Sequence, residues 1–207
     1  MELLNTESFK RGVLLSLTTG LVLIVLSYLG GKEELFLLLN HNLGATADFF
    51  FHYITYLGDG IMWVPFGLLV LYFRRKIFPM VLFAILISTA VVQFGKHYVF
   101  ANEARPTAVI TDQALVHTVE GVELHKSNSF PSGHNTTAFS IYLLACLVLR
   151  ARYFWLPGFF LALLTGYSRV YLAQHFPLDA GAGMISAVIS VYGAMAIQQK
   201  WFSKSGA

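Results

Sequence analysis

The amino-acid sequence predicts an all-α membrane protein: a polytopic bundle of six transmembrane helices with further helices lying in the interface. Three observations predict it. Hydrophobic residues make up 56% of the 207 positions and charged residues 12%, about half the ~25% charge of a typical soluble domain. Apolar runs near the length of a membrane crossing recur along the chain. Basic residues gather at alternate ends of those runs, as positive-inside sorting requires.

Residues 12–29 form the first span, apolar apart from Ser, Thr and Gly, after a polar start that ends in Lys10-Arg11. No small-x-small cleavage site precedes Lys32, and the run is longer than a signal core, so the span reads as uncleaved. Residues 33–39 and 45–57 carry apolar side chains at helical spacing and predict one or two interfacial helices. Gly58-Asp59-Gly60 then breaks the helix, with Asp59 read as a cap or turn residue. Residues 61–73 form a second span, ended by Arg74-Arg75-Lys76, and 77–100 a third, with Gln93 and Lys96 near its far end. Residues 101–130 are the only long polar stretch. Alternation around Glu120-Gly121 predicts a hairpin over 118–124, and a loop of this length reads as functional or as a lid. Spans four, five and six cover 135–149, 153–172 and 178–198. Pro177 suits the first turn of the last, and 200–207 is a tail. With no internal repeat and no soluble segment, 1–207 reads as one domain.

The charges orient the bundle. Nine of the 14 Lys and Arg fall on one side of the six-span arrangement, among them Lys10, Arg11, Arg74, Arg75 and Arg150. The other five are Lys32, Lys96, Arg105, Lys126 and Arg169. Positive-inside sorting puts both termini in the cytoplasm and the long loop outside. The single cysteine, Cys146, lies in an apolar run and reads as a small buried hydrophobe.

Ionisable groups at a membrane edge are costly and read as functional. Residues 168–179 hold Arg169, His175 and Asp179 between apolar segments. His175 can act as nucleophile or proton carrier near neutral pH. Asp179 is close enough to fix its tautomer, and Arg169 offers a planar fork of donors for phosphate or carboxylate. A second constellation, Phe130-Pro131-Ser132-Gly133-His134, opens span four. A helix start presents free amides and a positive dipole end to an anion. Ser132 adds a hydroxyl, Gly133 leaves room for close approach, and His134 can protonate a leaving oxygen. Lys96 and Arg105-Pro106 add two cations on the same side.

Lys…Arg-Pro, then Pro-Ser-Gly-His, then Ser-Arg-x5-His-x3-Asp resembles the type 2 phosphatidic acid phosphatase (PAP2) family. The motifs lie within 96–179, and the six-span layout extends the resemblance over nearly the whole chain. Eight residues separate Lys96 from Arg105, where the family pattern has six; the extra length is expected to bulge within 99–104.

The resemblance implies a metal-independent phosphatase with no cofactor. His175 would attack phosphorus and become a phosphohistidine, with Asp179 orienting it. Lys96, Arg105, Arg169, Ser132 and the Gly133 amide would hold the phosphoryl oxygens. His134 would protonate the leaving group and then activate water. The implied substrate is a lipid phosphate or diphosphate in the bilayer, ranked with undecaprenyl diphosphate first. Phosphatidylglycerophosphate, phosphatidate and lipid A follow, and a phosphotransferase would share every catalytic residue. From the residues alone an anion transporter is the reading of another class. It would favour an inverted repeat or broken mid-membrane helices, and neither is visible. No nucleic-acid site and no obligate protein partner are expected. His52, His97, His117 and His125 read as packed or interfacial residues, and the abundant Phe and Tyr as lipid-facing, core and interface residues.

Overall fold

The computed structural model describes residues 4–204. Helices dominate: α1 (Thr6–Gly30), α2 (Lys32–Leu39), α3 (Ala45–Ile54), α4 (Trp63–Arg74), α5 (Phe78–Phe94), α6 (Pro106–Val109), α7 (Gly133–Val148), α8 (Trp155–Tyr171) and α9 (Pro177–Lys204). The described residues contain no strand. The hairpin expected over 118–124 is a turn only, closed by the Val122 amide donating to the Val119 carbonyl at 3.3 Å. Val119 and Val122 pack against the Phe51, Tyr171 and Leu172 cluster instead of pairing as strands. The short α2 and α3 stand where interfacial helices were expected. α9 runs past the expected end at 198, through Lys204, and 205–207 of the expected tail lie outside the described residues.

Among the described residues three stretches are long and apolar enough to cross a membrane: Thr6–Gly30, Gly60–Val99 and Pro177–Lys200. The 40-residue middle stretch is not one rod. Arg74 leaves helical geometry at φ −145°, ψ 45°, and a Cβ on Gly67 of α4 would lie 3.6 Å from the Phe78 ring of α5. The chain therefore folds back at the basic residues. α7 and α8, with 16 and 17 residues, fall a little short of the ~20 that an untilted crossing takes.

α9 is the spine, packing against α1, α5 and α7. Small residues set its approach. A Cβ on Gly181 would meet the Gly20 carbonyl at 2.6 Å, and one on Gly183 would meet the Ser132 carbonyl at 2.6 Å. Backbones that touch in this way are how membrane helices gain van der Waals contact, since lipid supplies no hydrophobic drive between them. Met80, Leu143, Leu147, Met184 and Val191 fill the centre. Leu21, Leu68, Tyr72, Leu86 and Phe160 point outward, exposed, an apolar surface too broad for water.

The ends of the bundle differ in charge. The Asn5 amide donates to the Leu147 carbonyl at 2.9 Å, and Gln198 Nε2 donates to the Lys76 carbonyl at 3.1 Å. The guanidinium of Arg11 lies 5.4 Å from the centre of the Trp155 ring. These contacts bring the starts of α1 and α8, the ends of α7 and α9, and the α4–α5 turn to one basic end. The starts of α7 and α9 meet at the opposite end.

Candidate active site

The last turn of α8 carries Arg169, a cation at the negative end of the helix dipole. Beyond it the Gln174 and His175 amides donate back to the Arg169 carbonyl at 2.8 and 3.1 Å, with Ala173 at φ 55° making the reversal. This cap sets His175 beside Arg169. Pro177 then opens α9, and the Asp179 carboxylate accepts from the Phe176 amide at 3.0 Å, an acid capping a helix start. The same oxygen lies 3.2 Å from His175 Nδ1 and accepts from Ser129 Oγ at 2.5 Å. His175 and Asp179 are 2% and 3% exposed. With Nδ1 held, Nε2 is the nitrogen of His175 left to react.

Ser132 caps α7. Its Oγ accepts from Asn135 Nδ2 at 3.1 Å, which leaves the hydroxyl proton to donate elsewhere. Its amide donates to the Asp179 carbonyl at 3.1 Å, tying the starts of α7 and α9 together. A Cβ on Gly133 would meet only Val92, at an ordinary 3.6 Å. Packing therefore does not demand glycine there, and the space above the amide is open to a ligand. His134 Nε2 lies 2.6 Å from Asp59 Oδ1.

The three cations come from three elements. Arg105, extended at φ −86°, ψ 165° as a residue before proline should be, is 7% exposed. Its Nε donates to the Ser127 carbonyl at 2.9 Å and its Nη1 to the Gln174 carbonyl at 2.9 Å. Burial lowers its pKa, with Asp179 opposing. Arg169 Nη1 donates to Thr55 Oγ1 at 3.0 Å, while its buried Nε has no hydrogen-bond partner among the described residues. Lys96 sits in a π-turn, Gly95–Val99, closed by the Phe100 amide on the Gly95 carbonyl at 2.8 Å. The extra length of the first motif was expected to bulge within 99–104. The π-turn begins before that stretch, and Asn102, at φ 64°, turns the backbone within it. Single π-turns inside helices often mark functional positions.

Arg105, Arg169, Lys96 and His134 all act on His175 electrostatically. Burial first, and then the cations, hold His175 well below its ordinary 6.5. It is therefore a neutral imidazole at physiological pH, the form a nucleophile needs. The hydrogen bond from His134 lowers Asp59 despite its partial burial, so this carboxylate stays ionised. All eight residues picked from the sequence thus lie at one end of the bundle. Among the described residues no group of three or more His, Cys, Asp or Glu stands ready for a metal ion.

Sequence reasoning missed four contributors. Ser129 holds Asp179, Gln174 holds Arg105, Thr55 holds Arg169, and Asp59 meets His134. The first two lie within or beside the motifs. Thr55 and Asp59 lie 114 residues from Arg169 and 75 from His134 by number, so no spacing pattern could connect them. A groove of about 530 Å³ opens beside His134 between α4, α5 and α7, lined in part by Trp63, Ser88, Val92, Gln93 and Thr137. The long loop packs over the end of α8. Asn40 Nδ2 donates to the carbonyls of His117, Val170 and Tyr171, and His117 Nε2 lies 2.9 Å from Asp48 Oδ1.

A family model described as the PAP2 superfamily matches residues 80–203, a range that holds the whole histidine and arginine cluster. The chain belongs to the PAP2 superfamily. An undecaprenyl-diphosphatase of Sulfolobus acidocaldarius is 29% identical over 170 residues, 78% of this chain and 79% of the relative. Undecaprenyl-diphosphatase BcrC of Bacillus subtilis is 34% identical over 76 residues, 36% of this chain and 38% of the relative. The crystal structure of Aquifex aeolicus LpxE superposes with a TM-score of 0.68 at 30% identity, covering 79% of this chain and 93% of that one. With long apolar helices and this kinship, the PAP2 chain is an all-helical membrane protein and a phosphatase.

Proposed function

We propose that the chain hydrolyses a lipid diphosphate, undecaprenyl diphosphate first among them, through a phosphohistidine. The observation that carries this is the convergence of Lys96, Arg105 and Arg169 on a buried, neutral His175 whose Nδ1 is held by Asp179. Phosphoryl transfer asks mainly for positioning and neutralisation of equatorial charge, and three fixed cations supply both. His175 Nε2 attacks phosphorus, the bond to the leaving oxygen breaks, and His134 protonates that oxygen. Water then attacks the phosphohistidine and gives its proton to His134, releasing phosphate. The groove beside His134, on the leaving-group side, supports a substrate with an apolar tail. The undecaprenyl-diphosphatase relatives favour that lipid over the alternatives. Phosphate release by the purified protein from undecaprenyl diphosphate, phosphatidylglycerophosphate, phosphatidate and lipid A ranks the substrates. Release is expected to persist in excess EDTA; loss on chelation with rescue by magnesium contradicts the cation cradle.

The proposal includes six crossings, with the basic end in the cytoplasm and the site on the outer face. A tag fused after Ala207 is expected to stay cytoplasmic, and a cysteine placed in 107–126 to react with an impermeant reagent from outside. Labelling only after permeabilisation would reverse the orientation.

Lys96 is the ligand whose spacing departs from the family pattern. Lys96→Ala is expected to lower kcat/KM about 10²-fold, the scale of one lost transition-state donor. Lys96→Arg should rescue poorly, since a wider fork replaces a point charge. Near wild-type kcat/KM for Lys96→Ala, with Arg105→Ala crippled, would remove Lys96 from the cradle and leave it as a snorkelling side chain.

A further inference from the structure

We infer that Asp59 is a positioning residue for proton transfer: it holds Nε2 of His134, so that Nδ1 of His134 gives the proton to the leaving oxygen and later takes one from water. This rests on the phosphatase reading and concerns a residue outside all three motif segments. The contact is 2.6 Å and partly buried on both sides. An imidazole held through one nitrogen has a single nitrogen left to work with. The two histidines are thus held in opposite senses. Asp179 takes Nδ1 of His175 and leaves Nε2 to attack, whereas Asp59 takes Nε2 of His134 and leaves Nδ1.

The turn that carries Asp59 is built against the site. A Cβ on Gly58 would lie 3.1 Å from the His134 carbonyl and 3.2 Å from Thr165 Cγ2, so the turn is seated directly on the start of α7. Thr55, earlier in the same segment, takes Arg169 Nη1 at 3.0 Å. One short segment therefore supports both the proton donor and a phosphate ligand. The chemistry needs such support. To donate from Nδ1 while Nε2–H stays on Asp59, His134 must begin as an imidazolium, a form that burial first, and then Arg169 from α8 and Lys96 beyond α5, disfavour. Asp59 is the carboxylate that offsets them. In the first step the His175 Nε2–P bond forms, the P–O bond to the leaving group breaks, and the Nδ1 proton moves to that oxygen. In the second the water O–P bond forms, the N–P bond breaks, and a water proton returns to Nδ1.

The test compares kcat/KM against pH for full-length wild type and Asp59→Asn on undecaprenyl diphosphate. The expected result is a loss of about 10²-fold, the scale of one general acid. The basic limb should move to lower pH, because Arg169 and Lys96 remain and the offsetting carboxylate is gone. The acid limb, set by His175, should stay in place, and Asp59→Glu should recover part of the rate. Adding Asp59→Asn to His134→Gln should cost nothing further. Independently of any variant's folding, ¹⁵N shifts of wild-type His134, assigned by its loss in His134→Gln, should show the neutral ring protonated at Nε2. An unchanged pH profile at wild-type rate, additive losses, or a neutral His134 protonated at Nδ1 would each overturn the inference while leaving the phosphatase reading intact. A wild type that releases phosphate from no lipid would sink that reading, and this role with it.

Discussion

His175→Ala is expected to abolish phosphate release, by about 10⁴- to 10⁶-fold, the scale on which losing a covalent nucleophile shows, while the protein remains folded. The side chain is 2% exposed and makes its close polar contacts with Asp179 and Ser129. Those two stay bonded to each other at 2.5 Å, and Asp179 still caps α9 through the Phe176 amide, so the helix start survives truncation. Rapid quench of wild type with labelled substrate should trap a phosphohistidine that His175→Ala cannot form. Full activity in the variant would end the covalent mechanism. As the proposed nucleophile, the same group is expected to set a pH limb. A nucleophile must be neutral, and burial with the nearby cations lowers His175 well below 6.5, so the acid limb of kcat/KM should lie below 6.5. Rate is retained down to that limb and lost as pH falls through it.

Arg169→Ala is expected to cost about 10³-fold in kcat, as losing a guanidinium that neutralises phosphoryl charge does, without loss of thermal stability. Arg169 is 9% exposed. Its side chain donates to a neutral hydroxyl, Thr55 Oγ1, and no carboxylate lies within ion-pair distance of it among the described residues. A buried cation without a close counter-ion is a stability cost accepted for function. Removing it should leave the melting temperature unchanged or raised. Arg169→Lys should not restore the rate, because an ammonium cannot reproduce the fork. The acid limb should also move up toward 6.5, since one of the charges that lowers His175 is gone. A variant with both rate and melting temperature reduced would make Arg169 a structural residue. One with unchanged rate would remove it from the phosphate cradle.

The sequence by itself determined the all-helical membrane class, the helix-breaking positions and the residues of the cluster, because these depend on local or strongly patterned information. Apolar runs report burial in lipid residue by residue. Pro177, and Gly133 after Ser132, mark helix starts through backbone geometry confined to a few positions. The 168–179 stretch writes a cation, an imidazole and a carboxylate within one reversal of the chain, so their meeting was legible before any fold. The tertiary structure decided what depends on contacts between distant segments. The hairpin pattern at 118–124 lost to packing of Val119 and Val122 on a helix cluster, since a weak period-two signal yields to apolar contact. The stretch around Lys96 forms a π-turn, a change in hydrogen-bond register that composition does not encode. Asp59, flanked by glycines, looks locally like a turn residue. Only the seating of Gly58 against α7 brings its carboxylate to His134, because an ion pair is set by where two backbones approach and not by the residues beside either partner.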